Sequence, residues 1–343
     1  MADTPRRTVT QDDSLPAVEP PSAAFLVQLF LVPAIIVAII VGVWLAFHWL
    51  AQLGNDPEGY VKTLRRNSEG RWQAALNFAN DLRGPGGAAL KGDAELAGEL
   101  ASILADEIAS GRPKAGGVTG EQAQALCTYL CRALGEFAVP EAADPLVARA
   151  ADASDPQTAQ AAVEVIAVLA DNLAAAKRTF ADPAAVTAVL LAAAGGDDAS
   201  LRSRAAYTLG VVGGSGATAR LTSLLGDAEE NVRFNAAVGL ARQCDPAAWG
   251  VLEEMLTLPD VEVPAGDDAK QSERYKRAIV ALNALKAVGL LVDATRAPPP
   301  AAVAARVTAL RKDPVPDVRT AATALAAKLE RISSSPSSAP REQ

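Results

Sequence analysis

Two thiols four residues apart are the first candidates for chemistry: Cys127 and Cys131, in ALCTYLCRAL, would share one face of a helix. Thiols so placed could bind a metal or exchange a disulfide, but either role needs further partners. The third cysteine, Cys244, is remote, and the single histidine, His48, sits at the end of an apolar run. Core packing is therefore the expected role of Cys127 and Cys131. One histidine in that place also denies the rest of the chain a Ser-His or Cys-His nucleophile system. The adjacent acids Glu253-Glu254 and Asp267-Asp268 would point in different directions on a helix, which suits a solvated surface better than an acid-base pair. The GGSG of Gly213–Gly216 lacks the following Lys-Ser/Thr of a phosphate loop and fits a turn between helices. No catalytic, cofactor-binding or metal-binding residue is expected, and the chain reads as a binding protein without an active site.

The formal charge is -8, and no dense Lys/Arg run provides the concentrated basic face that phosphate backbones require, so no nucleic-acid partner is expected. Three cysteines are too few for a disulfide framework and suggest a reducing compartment. The plainest break in periodicity is PDVEVPAGDDAKQSE, Pro259 to Glu273. Its acids Asp260, Glu262, Asp267 and Asp268 are the candidate partner-binding loop, because loops on a rigid scaffold commonly carry recognition.

The elements that position these residues are helices. Composition leans to Ala and Leu, aromatics are 4%, and strand-length alternation is missing. Residues 1–24 mix Pro, Ser, Thr and charges and are expected to be a disordered tail. From Phe25 to Trp49 no side chain is formally charged, and Leu31 to Phe47 is almost wholly apolar, so residues 25–51 are expected to cross the lipid bilayer as one helix. Pro33 would fall in its first turns, where a missing N–H costs least. A cleaved signal peptide would have a shorter apolar run, a basic start and a small-x-small site, none of which is present. Lys62, Arg65, Arg66 and Arg71 follow the span while Arg6 and Arg7 precede it, which favours a cytoplasmic C-terminal side. The second domain is expected over 56–332, with SSSPSSAPREQ, 333–343, as a disordered end.

Self-comparison decides the fold class. LRSRAAYTL from Leu201 returns as VRFNAAVGL from Val232, about 31 residues later, and Leu221, Leu224 and Leu225 recur as Leu252, Met255 and Leu256. Weaker copies start at Gly70 (GRWQAALNF), Glu121 (EQAQALCTY), Gln157 (QTAQAAVEV), Arg274 (RYKRAIVAL) and Val318 (VRTAATAL). AELAGELASILADEIA and PAAVTAVLLAAA supply second helices, the former with Leu96, Leu100, Ile103 and Leu104 on one face. The expectation is an all-α solenoid of roughly six helix pairs after one transmembrane helix.

DDASLRSRAAYTLGVVGG and DPVPDVRTAATALAAKL resemble HEAT repeats, particularly the short variety also found in phycobilisome lyases. The resemblance implies stacked helix pairs that hold protein partners, here a membrane-anchored scaffold or adaptor whose partner's identity stays open. It also implies an alternative, a lyase- or isomerase-like enzyme acting on a bound chromophore or protein substrate. Arg71, Arg202, Arg233 and Arg319 resemble the HEAT arginine that pairs with acids near the preceding turn, for which Asp198, Asp227 and Asp317 are candidates. Their recurrence favours a structural ladder over a row of phosphate ligands.

Overall fold

A computed structural model describes residues 23–52, 57–66, 68, 70–264 and 267–334, with fifteen α-helices and no strand among them. Of the tails expected at 1–24 and 333–343, residues 1–22 and 335–343 lie outside the described residues, while 23–24 belong to the first helix and 333–334 to the last. The chain divides into two units, one ending at Gly54 and the other beginning at Asn55.

The first unit is α1, Ala23–Gln52. Its Val27–Phe47 stretch has a mean hydropathy of 2.9 and none of it is buried. Twenty-one residues rise about 31 Å, the thickness of a bilayer's hydrocarbon core. Because the helix starts at Ala23, Pro33 stands inside it and not in its first turns. The helix therefore forgoes one backbone hydrogen bond three turns in.

The second unit comprises α2 (Pro57–Arg65), α3 (Arg71–Arg83), α4 (Ala94–Ala109), α5 (Gly117–Gly135), α6 (Ala143–Ala150), α7 (Pro156–Ala175) and α8 (Pro183–Ala193). It continues with α9 (Ala199–Val212), α10 (Ala217–Leu224), α11 (Glu230–Arg242), α12 (Trp249–Thr257), α13 (Asp268–Thr295), α14 (Ala301–Leu310) and α15 (Pro316–Ser334). Helix starts are written locally. Asp93, Asp155, Asp182 and Asp198 each accept a backbone N–H of the first turn they precede, and Pro156 and Pro183 occupy first helical positions where no N–H is needed.

The odd helices α3 to α15 pack each on the next, forming one layer. In the second layer α2 lies on α4, α4 on α6, α6 on α8, α8 on α10, and α12 on α14. Each even helix also packs on the odd helix that follows it, from α2 on α3 to α14 on α15, so the described residues hold seven packed pairs where roughly six were expected. This is an α-solenoid: each helix buries its apolar stripe only against near neighbours in sequence. Leu96, Leu100, Ile103 and Leu104 of α4 are all buried, as their spacing requires. Helices α7 and α13 are also long and apolar enough to cross a membrane, but about half of each apolar window is buried within the solenoid.

Small residues set the spacing of the odd layer. Ala205 and Ala206 of α9 and Ala236 and Ala237 of α11 are buried, and where these two helices meet Gly210 faces Gly239. A Cβ on Gly210 would lie 2.2 Å from the Gly239 Cα. The expected break over 259–273 is shorter in the structure. Residues 258–264 and Asp267 are coil, and Asp268 to Glu273 are helical because Asp267 accepts the Lys270 N–H at 2.9 Å and so opens α13.

Candidate binding surface

A ladder of polar side chains runs along the odd layer. Arg71 of α3 donates to Glu107 at 2.6 Å, Gln124 of α5 to Asp155 at 3.0 Å, and Gln160 of α7 to Asp198 at 2.7 Å. Arg202 of α9 grips Asp227 with two bonds of 2.9 and 3.0 Å, Arg233 of α11 reaches Glu254 at 2.5 Å, and Arg277 of α13 reaches Asp313 at 2.5 Å. Each acid lies beyond the odd helix that supplies the donor, on an even helix or in the turn before the next odd helix. The arginines also donate to backbone carbonyls behind them: Arg71 to Leu64, Arg202 to Gly196 and Asp197, Arg233 to Asp227 and Ala228, Arg277 to Leu258, and Arg319 to Asp313. One guanidinium thus satisfies carbonyls in one turn and a carboxylate in the next, using the fork geometry that lysine lacks.

This geometry corrects the expected pairing. The carbonyls come from the chain before the odd helix, and the acid comes from after it, on the even helix or in the turn that follows. Asp227 is the partner of Arg202, while Asp198 caps α9 and accepts from Gln160, and Arg319 bonds the Asp313 carbonyl and not the Asp317 carboxylate. Glutamines take the arginine's place in α5 and α7, an equivalence that side-chain type conceals in the sequence.

Two buried carboxylates anchor the first repeats. Glu107, 1% exposed, is held by Arg71 and Arg112, whose Nη2 lies 2.5 Å away, and Glu136 is held by Arg83 and Lys91. A cavity of about 370 Å³ lies beside the Glu107 pair, lined by Trp72, Val118, Thr119 and Gln122 among others. Trp72 stacks on Tyr129 of α5, with Arg132 over the Tyr129 ring, and Arg242 lies over Tyr207, so aromatic and cationic contacts also join neighbouring odd helices. Cys127 and Cys131 are fully buried in α5. Burial pushes the Cys127 thiol up to about 12 and raises Cys131 as well, so both stay protonated and unreactive at neutral pH.

The four acids of the candidate loop have different roles. Arg274 donates two bonds to Asp260, at 3.1 and 2.6 Å, and these hold its carboxyl below the ordinary range. Asp267 is the α13 cap, Asp268 lies in the first turn of α13, and Glu262 is exposed. Ala265 and Gly266 lie outside the described residues. Replacing Asp267 with alanine is expected to lower stability by about 1 kcal/mol through loss of the cap, whereas Glu262→Ala should stay within about 0.5 kcal/mol of the parent. Denaturant titrations of both variants check this, and equal effects would show that the cap does not set the start of α13.

Residues 187–265 match the family model of HEAT repeats. This segment spans α9 to α12, where the ladder is built of arginines. No curated protein matches the chain. Solved structures that resemble it include human deoxyhypusine hydroxylase in complex with glycerol, at TM-score 0.31 and 18% identity, covering 83% of this chain and 98% of that one. An engineered protein has TM-score 0.31 and 18% identity over 82% and 97% of the two chains, and the YibA protein of E. coli has 0.34 and 15% over 82% and 96%. None of these lends the chain an activity.

The HEAT-like ladder makes stability depend on acid. Burial acts to raise the Glu107 carboxyl, but bonds from Arg112 and Arg71 outweigh it, and Arg202 holds Asp227 low. Burial likewise opposes, without cancelling, the lowering of Asp198 by Gln160 and by the backbone N–H groups of Leu201 and Ser200. A carboxyl whose folded pKa is below its unfolded value contributes stability above the unfolded pKa and loses it as pH falls through the folded one. Thermal unfolding is therefore expected at a constant temperature above about pH 5 and at steadily lower ones below about pH 4. A melting temperature unchanged down to pH 3 would contradict this account.

Proposed function

We propose that the protein is a membrane-anchored scaffold whose HEAT-like solenoid binds protein partners. The observation that carries this reading is the division of the chain. An apolar helix with no buried residue in its Val27–Phe47 window is followed in sequence by an array in which arginine-carboxylate pairs tie neighbouring repeats together. The first needs a lipid environment, since so many exposed apolar side chains are not tolerated in water. The second offers an extended, ordered surface and leaves the chemistry of function to contacts. The basic residues after α1, Lys62, Arg65, Arg66 and Arg71, support a cytoplasmic solenoid.

Two measurements test the reading. The intact chain should remain with membranes through a high-salt wash and be released by detergent, and recovery in the soluble fraction would remove the anchor from the proposal. Crosslinking in native membranes, through photoreactive residues placed along the odd and even layers, should recover protein partners. A native preparation that carries bound pigment or turns over a substrate, with no crosslinked partner, would replace the scaffold by the enzymatic alternative.

A further inference from the structure

We infer that the outward stripe of α13 receives an acidic amphipathic helix of a partner protein. This specifies the partner class for the scaffold and rests on that reading. Among the described residues of the second unit, the exposed large apolar side chains are Val118, Tyr275 (66%), Ile279 (40%) and Leu290 (39%), so all but one stand on α13. Half-buried Leu282 and exposed Lys286 complete the stripe Tyr275, Ile279, Leu282, Lys286, Leu290. At about 100° per residue these five positions fall within roughly 80° of arc and extend about 22 Å along the axis. The steps from Tyr275 through Lys286 are four, three and four, the alternation of a coiled-coil seam, so a helix is the shape that matches it.

The stripe is uncovered because α13 differs from its counterparts. Six positions after the ladder residue, α5, α7, α9 and α11 carry Leu130, Ile166, Thr208 and Gly239, all buried. Two of these show what buries them: Thr208 donates to the Val163 carbonyl of α7, and Gly239 meets Gly210 of α9. The equivalent residue of α13, Asn283, is exposed, as is Asn77 of α3, which has no odd helix before it. Part of the side that other odd helices give to the preceding helix is thus left open on α13.

Charge selects the occupant. The other cations of α13 are paired within the chain: Lys270 with Glu273, Arg274 with Asp260, and Arg277 with Asp313. Lys276 and Lys286 are exposed and have no ion pair among the described residues. Asp293, at the far end of the stripe, is engaged by Lys328 at 2.5 Å. Apolar anchors with one unpaired lysine, Lys286, within the stripe and another, Lys276, beside it fit a helix that carries Leu or Ile along its seam and carboxylates within reach of both. A second copy in parallel register would set Lys286 against Lys286.

The test uses the full chain in nanodiscs of zwitterionic lipid, with empty nanodiscs as the blank. The probes are a fluorescent three-heptad helix with Leu at the seam and Glu at the flanking positions, and its counterpart with Lys for every Glu. The acidic probe should bind at least about tenfold more tightly than the basic one. Ile279→Glu should abolish that binding with helicity unchanged, and Lys286→Glu should remove the preference between probes. Equal affinity for both probes, no binding of either, or full binding by Ile279→Glu would overturn the inference. So would a dimer that Ile279→Glu dissociates, which would give the stripe to a second copy. Crosslinked partners at other surfaces would still uphold the scaffold after such a failure, whereas an absence of partners in native membranes would fail the scaffold itself.

Discussion

Replacing Arg277 with alanine is expected to destabilise the solenoid by about 3–5 kcal/mol, the largest single effect of any ladder substitution. Side-chain exposure is 9% for Arg277 and 2% for Asp313, so the pair is the most buried Arg-Asp contact of the ladder. Asp313 is also the hub of the turn between α14 and α15. Its Oδ1 accepts the Val315 N–H at 2.9 Å and its carbonyl accepts from Arg319 at 2.7 Å. Removing the guanidinium leaves a carboxylate in a place where water cannot replace the lost bond, and it frees the Leu258 carbonyl that Arg277 also serves. Such a charge can be relieved only by protonation or by opening the turn, and both cost stability. The double variant Arg277→Met with Asp313→Leu removes both charges and should recover much of the loss, although the Val315 bond is not restored. Equilibrium denaturation of the single and double variants gives the coupling between them. A loss below about 1 kcal/mol for Arg277→Ala would place the pair among weak surface contacts.

A reversal of sign is expected at Gly210. Glycine inside a helix ordinarily costs about 1 kcal/mol relative to alanine, so Gly→Ala is usually stabilising. Gly98 of α4 is exposed with open space around its missing side chain, and Gly98→Ala should gain about 0.5–1 kcal/mol. Gly210→Ala should instead lose about 1–3 kcal/mol, because the new methyl meets the backbone of α11 and no rotamer change can relieve the contact. The helices would have to separate, which would disturb Ala206, Ala237 and Leu240 around the crossing. Opposite signs for these two chemically identical substitutions, read by thermal or denaturant unfolding, are the expected result. A gain at Gly210 would show that α9 and α11 are farther apart than described.

The repeat from Leu201 to Leu256 was legible because both helices keep their apolar spacing and their arginines, and the family match falls on the same segment. The weaker copies show where legibility ends. Aligned on their alanines, the units starting at Glu121, Gln157 and Arg274 sit two residues out of register with the ladder, whose true members are Gln124, Gln160 and Arg277. An alanine-rich helix offers several near-equivalent apolar registers, and a pattern cannot distinguish among them. Arg274 looks like the repeat's arginine, yet it ties down Asp260 while Arg277, one turn further on, takes the ladder position. Of the loop acids, only the cap role of Asp267 follows from position before a helix, and that boundary is itself uncertain by several residues in sequence.

The sequence by itself determined the helical class, the apolar span of α1, the two-helix period and those helix starts that carry an Asp cap. These depend on neighbours within a few residues: side-chain periodicity, Asp-Pro caps and the length of an uncharged run. Tertiary structure alone decided which acid each arginine meets, where glycine faces glycine, and that α13 keeps a stripe of Tyr275, Ile279 and Leu290 in solvent. Those outcomes depend on how closely one helix approaches another about 30 or more residues away, and that distance is set by the combined packing of many side chains.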